Sequence, residues 1–131
     1  MLATVLLGGS LVAHAQTTGG VPPMKGEGSA RYVCGGIGTD ESIPMRAAMK
    51  EHPLSLRFAQ ADGSYTAELD VVIKDAKGAS ALTLRANGPI CLIDLPAGRY
   101  TVEASDTGGS GARKSQTVTL GGTPRTVEFR F

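Results

Sequence analysis

From Leu54 onward the chain alternates apolar and polar side chains, and about every eight to twelve residues a glycine-containing turn interrupts the alternation. A period of two is what a half-buried β-strand requires, because successive side chains leave the backbone on opposite faces. Leu54, Leu56 and Phe58 form the first inward set, and Tyr65, Ala67, Leu69, Val71 and Ile73 the second. Leu82, Leu84 and Ala86 follow, then the run from Ile90 to Asp94, then Tyr100, Val102 and Ala104. The last two sets are Gln116, Val118 and Leu120, and Val127, Phe129 and Phe131. The breaks between them are rich in Asp, Asn, Gly and Pro, the residues that turns select. Each sheet built from such strands has one apolar face that must be covered, and two sheets facing each other do this most directly. The expected fold is therefore an all-β, Ig-like sandwich of seven or so strands.

Upstream the period changes. Arg31-Tyr32-Val33-Cys34 makes a short strand candidate, and Gly35-Gly36-Ile37-Gly38 must turn. Asp40, Glu41 and Ser42 then suit a first helical turn, Pro44 is tolerated that early, and Met45, Ala48 and Met49 fall on one face. Lys50 complements the dipole at the end, and Pro53 closes the element. One short helix near the N-terminus of the domain is expected, lying across an opening of the sheets.

Residues 1–15, MLATVLLGGSLVAHA, contain no Asp, Glu, Lys or Arg and end on small residues flanking His14. This reads as an export signal cleaved between Ala15 and Gln16. Its apolar run breaks at Gly8-Gly9-Ser10, short of the roughly 20 residues a transmembrane helix needs, so no transmembrane anchor is expected in the mature form. Residues 16–29 lack any period and read as a flexible leader, which leaves residues 30–131 as a single domain. Cys34 and Cys91 are the two cysteines, and in an exported chain an even count reads first as a disulfide, the alternative being two buried thiols. The expected location is periplasmic or secreted.

The run Gly88-Pro89-Ile90-Cys91-Leu92-Ile93-Asp94-Leu95-Pro96-Ala97-Gly98-Arg99-Tyr100-Thr101-Val102 resembles the carboxypeptidase regulatory-like domains, which have a transthyretin-like (prealbumin-like) sandwich. The resemblance extends from Leu54 to Phe131 and implies a strand ending at a Leu-Pro-x-Gly-x-Tyr turn. Along most of its length the chain also looks like small exported bacterial proteins of that type. The physical basis of the turn stands without the family: Pro96 fixes φ, Gly98 tolerates positive φ, and Tyr100 re-enters the core. The resemblance implies no peptidase activity.

Chemistry is scarce in this sequence. His52, beside Pro53, is the single histidine of the proposed mature chain and reads as a surface residue. One histidine with two distant cysteines does not make a zinc site, and no metal or cofactor is expected. The transthyretin-like fold includes a hydroxyisourate hydrolase, but this chain ends Glu128-Phe129-Arg130-Phe131 and lacks that enzyme's histidines. An isopeptide bond would need Lys50 or Lys74 with Glu68 as the assisting acid, and the last strand offers no Asn or Asp. Gly35 to Gly38 lacks the Gly-Lys-Ser/Thr of a phosphate loop, and Asp40 with Glu41 would repel phosphate. Sugar platforms need exposed aromatics, and the alternation leaves only Tyr32. Thirteen basic against twelve acidic residues, both scattered, select no nucleic acid. The expectation is a non-enzymatic binding or structural module that contacts another protein or a cell-envelope component through loops and strand edges. The alternative is an envelope inhibitor or a small-ligand or carbohydrate-binding protein, using the 106–111 loop or the Gly35 to Asp40 segment.

Overall fold

A computed structural model describes residues 20–60, 68–106 and 111–131. The export signal, the Ala15–Gln16 cleavage position and the inward Tyr65 and Ala67 lie outside these residues. The described chain runs β1 (Lys25–Glu27), β2 (Ala30–Gly35), α1 (Thr39–Ala48), a 3-10 turn (Met49–Glu51), β3 (Leu54–Ala59), β4 (Leu69–Lys74), β5 (Ser80–Ala86), β6 (Ile90–Asp94), β7 (Gly98–Ser105), β8 (Arg113–Leu120) and β9 (Arg125–Arg130). Two sheets result, one of five strands in the order β1-β2-β6-β3-β9 and one of four in the order β5-β4-β7-β8.

The sandwich is as the alternation requires. Leu54, Leu56 and Phe58 of β3 meet Leu69, Val71 and Ile73 of β4 and Tyr100, Val102 and Ala104 of β7 in one buried core. Val127 and Phe129 of β9 join it, and the Phe129 ring stacks on Phe58 with centroids 5.8 Å apart. Neighbouring strands pair antiparallel except β3 and β9, which run parallel from Leu54↔Arg125 to Ala59↔Arg130.

The strand count, the start of the ordered chain and the place of the helix differ from the sequence expectation. Among the described residues there are nine strands rather than seven or so, and the helix follows two of them instead of lying near the N-terminus. The additional strand, β1, falls inside the segment expected to be a flexible leader. Its three residues are all exposed and pair with β2 from Lys25↔Tyr32 to Glu27↔Ala30. Backbone hydrogen bonds alone hold such a strand, so no apolar period announces it.

The helix does not lie across an opening between the sheets. It lies on the outer face of the five-stranded sheet, where Met45 and Ala48 form a second apolar cluster with Val33 of β2 and with Ile90 and Leu92 of β6. β6 is consequently buried on both faces: Cys91 and Ile93 point into the sandwich core, and Ile90 and Leu92 point under the helix. A strand covered on both sides loses its alternation and reads as a continuous apolar run, as Ile90-Cys91-Leu92-Ile93 does.

Cys34 and Cys91 are directly opposed in the β2–β6 ladder and form a disulfide, with Cα atoms 4.0 Å apart. The bond joins two neighbouring strands of one sheet and does not bridge the two sheets. The glycine turn after β2 is shaped by close approach. Gly36 has φ +98°, which an L side chain resists, and its N–H donates to Glu41 Oε1 at 2.7 Å. Glu41 therefore reaches back from the first helical turn to fix the turn before it.

Candidate functional site

Four places on the surface carry enough chemistry or exposed backbone to be considered. The first is His52. The register Leu54↔Ile93 brings the residues just before β3 beside the end of β6, and His52 Nδ1 lies 2.7 Å from Asp94 Oδ1. The imidazole is partly buried, with side-chain exposure of 19%, so the expected surface histidine is a partnered one. When the Asp94 carboxylate accepts from Nδ1–H, Nε2 is left as the acceptor nitrogen. Ser55, the buried hydroxyl nearby in sequence, donates to the Met49 carbonyl at 3.4 Å instead of to the ring. Acyl transfer by a His–Asp pair requires a hydroxyl or thiol at the other ring nitrogen, and among the described residues no hydrogen bond joins one to His52. Among the described residues no group of three or more His, Cys, Asp or Glu side chains could hold a metal ion.

The second place is the turn between β6 and β7. Leu95 is buried, Pro96 and Ala97 are exposed, and the Tyr100 ring enters the core. Its hydroxyl donates back to the Pro96 carbonyl at 2.8 Å, four residues upstream, locking the turn against the strand that follows. Burial, reinforced by the negative charge of Asp75, holds the phenol above its ordinary value of 10.0. The cleft beside it, about 240 Å³ between Asp75–Lys77 and Ala97–Tyr100, is shallow.

The third place is a cleft of about 380 Å³ where α1 stops short of β3 and β9. Thr39, Ser42 and Arg46 line it from the helix, Arg57 and Ala59 from β3, and Glu128 from β9. Arg57 and Glu128 are register neighbours on the outer face, yet the Glu128 carboxylate is taken by Arg130 Nη2 at 3.1 Å. The fourth place is the edge of the four-stranded sheet. β8 pairs with β7 from Gly98↔Leu120 to Ser105↔Arg113, and no strand among the described residues pairs with its other side. Its first five residues, Arg113 to Thr117, are all exposed. Gln116 anchors the strand across the sandwich by donating to the Glu128 carbonyl, and Lys114 sits 6.0 Å from the Phe131 ring centroid.

The other residues singled out from sequence are dispersed. Lys74 pairs with Glu103 at 3.3 Å and Glu68 with Arg85 at 3.1 Å, while Lys50 is exposed on the 3-10 turn, so neither lysine is paired with the acid an isopeptide would need. Tyr32, the one aromatic left over for a sugar platform, packs against the core. Most of the 106–111 loop lies outside the described residues; Asp106 and Gly111 at its ends are tied by a backbone hydrogen bond of 2.8 Å. Among the described residues no helix is long and apolar enough to cross a membrane.

The His52–Asp94 contact and the α1–β3 cleft escaped sequence reasoning, which expected free strand edges without placing one at β8. The edge had a usable signal, since Lys114 and Gln116 occupy inward positions where a covered strand would carry apolar side chains. The chain matches no known protein-family model and no curated protein.

Proposed function

We propose that this chain is a non-catalytic module of the periplasm or of the secreted fraction, which binds another envelope or secreted protein by strand addition at β8. The carrying observation is an open edge: eight residues, Arg113 to Leu120, with no proline or glycine among them and no strand among the described residues on the far side. An exposed edge of that length templates a further strand, with the main chain supplying affinity and alternate side chains supplying choice of partner. Arg113 and Lys114 place positive charge at the start of this edge, which favours an extended segment carrying acidic residues. The Cys34–Cys91 disulfide fits an oxidising compartment, since such bonds are rare where thiols are kept reduced. Kinship with carboxypeptidase regulatory-like domains is supported by the two-sheet sandwich and by the Tyr100-to-Pro96 lock at the Leu-Pro-x-Gly-x-Tyr turn.

A photo-crosslinking amino acid at Ser115, on the β8 edge, tests this in cells, with one at the exposed Ala47 on α1, away from any strand edge, as control. A discrete adduct from Ser115 that disappears when Arg113 and Lys114 are both changed to Glu is the expected result. Adducts of equal yield from both positions, or none from Ser115, would sink the reading.

A further inference from the structure

We infer that the cleft between α1 and β3 is a binding site for the carboxylate of a peptide. This does not rest on strand addition at β8, which lies on the other sheet.

The site exists because the helix is narrower than the sheet beneath it. α1 covers β2 and β6, and the outer face of β3 and β9 next to it stays open. Arg57 projects from that open face and is only half exposed. The acid that register places beside it is Glu128, but Glu128 is bound by Arg130 two residues along its own strand. Among the described residues Arg57 has no acidic partner. A guanidinium drawn partly out of water without a counter-charge is unfavourable, and an anion entering the cleft would relieve that cost.

The opposite wall supplies the rest of a carboxylate receptor. Thr39, Ser42 and Arg46 fall at helical spacing on the face of α1 that lines the cleft, adding two hydroxyls and a second guanidinium. Arginine offers paired N–H donors in a fixed plane that match the two oxygens of a carboxylate. Glu128 on the third wall sets the charge limit: it tolerates a monoanion between two arginines and opposes a phosphate dianion. The volume of about 380 Å³ accommodates an end or side chain of a peptide and a residue or two beside it.

The experiment is an NMR titration of the full chain with three peptides: N-acetyl-trialanine with a free C-terminal carboxylate, its C-terminal amide, and N-acetyl-Ala-Glu-Ala amide. Inorganic phosphate at matched ionic strength is the fourth probe. Amide shifts at Thr39, Ser42, Arg57 and Ala59 with the free acid, and affinity for the uncharged amide weaker by about tenfold or more, are expected. Stronger shifts with the free acid than with the Glu peptide identify a chain terminus as the natural group, and the reverse order identifies an acidic side chain. Arg57→Gln should weaken carboxylate binding by about tenfold, and Arg46→Gln, at an exposed helix position that folding does not need, by several-fold. Glu128→Gln should strengthen it. The proposal is overturned by equal binding of acid and amide, by phosphate binding more tightly than either carboxylate, by Arg46→Gln and Arg57→Gln variants that bind as the parent does, or by no shifts at all.

Discussion

Replacing Cys34 and Cys91 by alanine should remove a large part of the stability and open one end of the molecule before the other. The bridge spans 57 residues. In the chain-entropy model a closed loop of that length restricts the unfolded chain by about 4 kcal/mol at 25 °C. Both sulfur atoms are buried, so the alanine pair forfeits roughly 1 kcal/mol more in lost apolar contact. Reduced but unaltered protein, which keeps the sulfur atoms, separates the two contributions and should lose only about the first 4 kcal/mol. Against a native stability of about 5 to 15 kcal/mol, this corresponds to a fall in Tm of roughly 15 °C for a domain of this size. Urea denaturation of oxidised, reduced and alanine forms measures the magnitude, and hydrogen exchange measures the place. β2 holds β1 by backbone alone and supports α1 through Val33, so amides of Tyr32, Val33 and the helix should lose protection while those of β4 and β7 keep theirs. A reduced form within about 1 kcal/mol of the oxidised one, or exchange that rises first in the four-stranded sheet, would refute the reasoning.

Two further outcomes follow from single side chains. Tyr100→Phe should cost about 1 kcal/mol near neutral pH, because it deletes the hydrogen bond to the Pro96 carbonyl at an exposed turn where water can replace the donor. The phenol is held above its ordinary value in the folded chain, so the stability it contributes is complete below about pH 10 and is lost as pH rises through the folded value. The advantage of the parent over the phenylalanine variant in urea melts should therefore shrink progressively as the pH is raised above about 10, and an advantage that stays unchanged as the phenol ionises would contradict this. Gly88→Ala should destabilise by about 1 to 3 kcal/mol, since a Cβ at that position would come within 2.5 Å of the Gly35 carbonyl oxygen, a backbone atom that cannot rotate away. Thermal denaturation that finds the variant as stable as the parent would show that the β2 end moves freely.

The parts of the fold that were legible in the sequence are those whose residues face a single partner layer. Leu69, Val71 and Ile73, or Tyr100, Val102 and Ala104, each see one apolar surface and one of water, and their spacing records it. Met45 and Ala48 are legible in the same way at helical spacing. Ile90 to Ile93 obscured their environment because they serve two layers at once, and the second layer became visible only when the helix was found above them. β1 left no trace, since its pairing is made by peptide groups that every sequence has. The candidate site was hidden for a related reason. His52 meets Asp94, 42 residues away, through a register set by β3 and β6, and the Arg57 cleft depends on how far a helix extends over a sheet. Neither quantity is local.

The parallel pairing of β9 with β3 also fixes when the molecule can be completed. β3 is made early, but the partner that seals its flank and stacks Phe129 on Phe58 arrives only after β4 through β8 have been synthesised. Until then the five-stranded sheet lacks its last strand and the core lacks Val127 and Phe129. Pairings between segments so far apart in sequence are slow to form, because the intervening chain must be ordered before they contribute. A nascent chain is thereby kept from reaching its final compact state ahead of its own C-terminal strand, and a truncation before Arg125 should yield a product that proteases and aggregation remove, rather than a smaller stable domain.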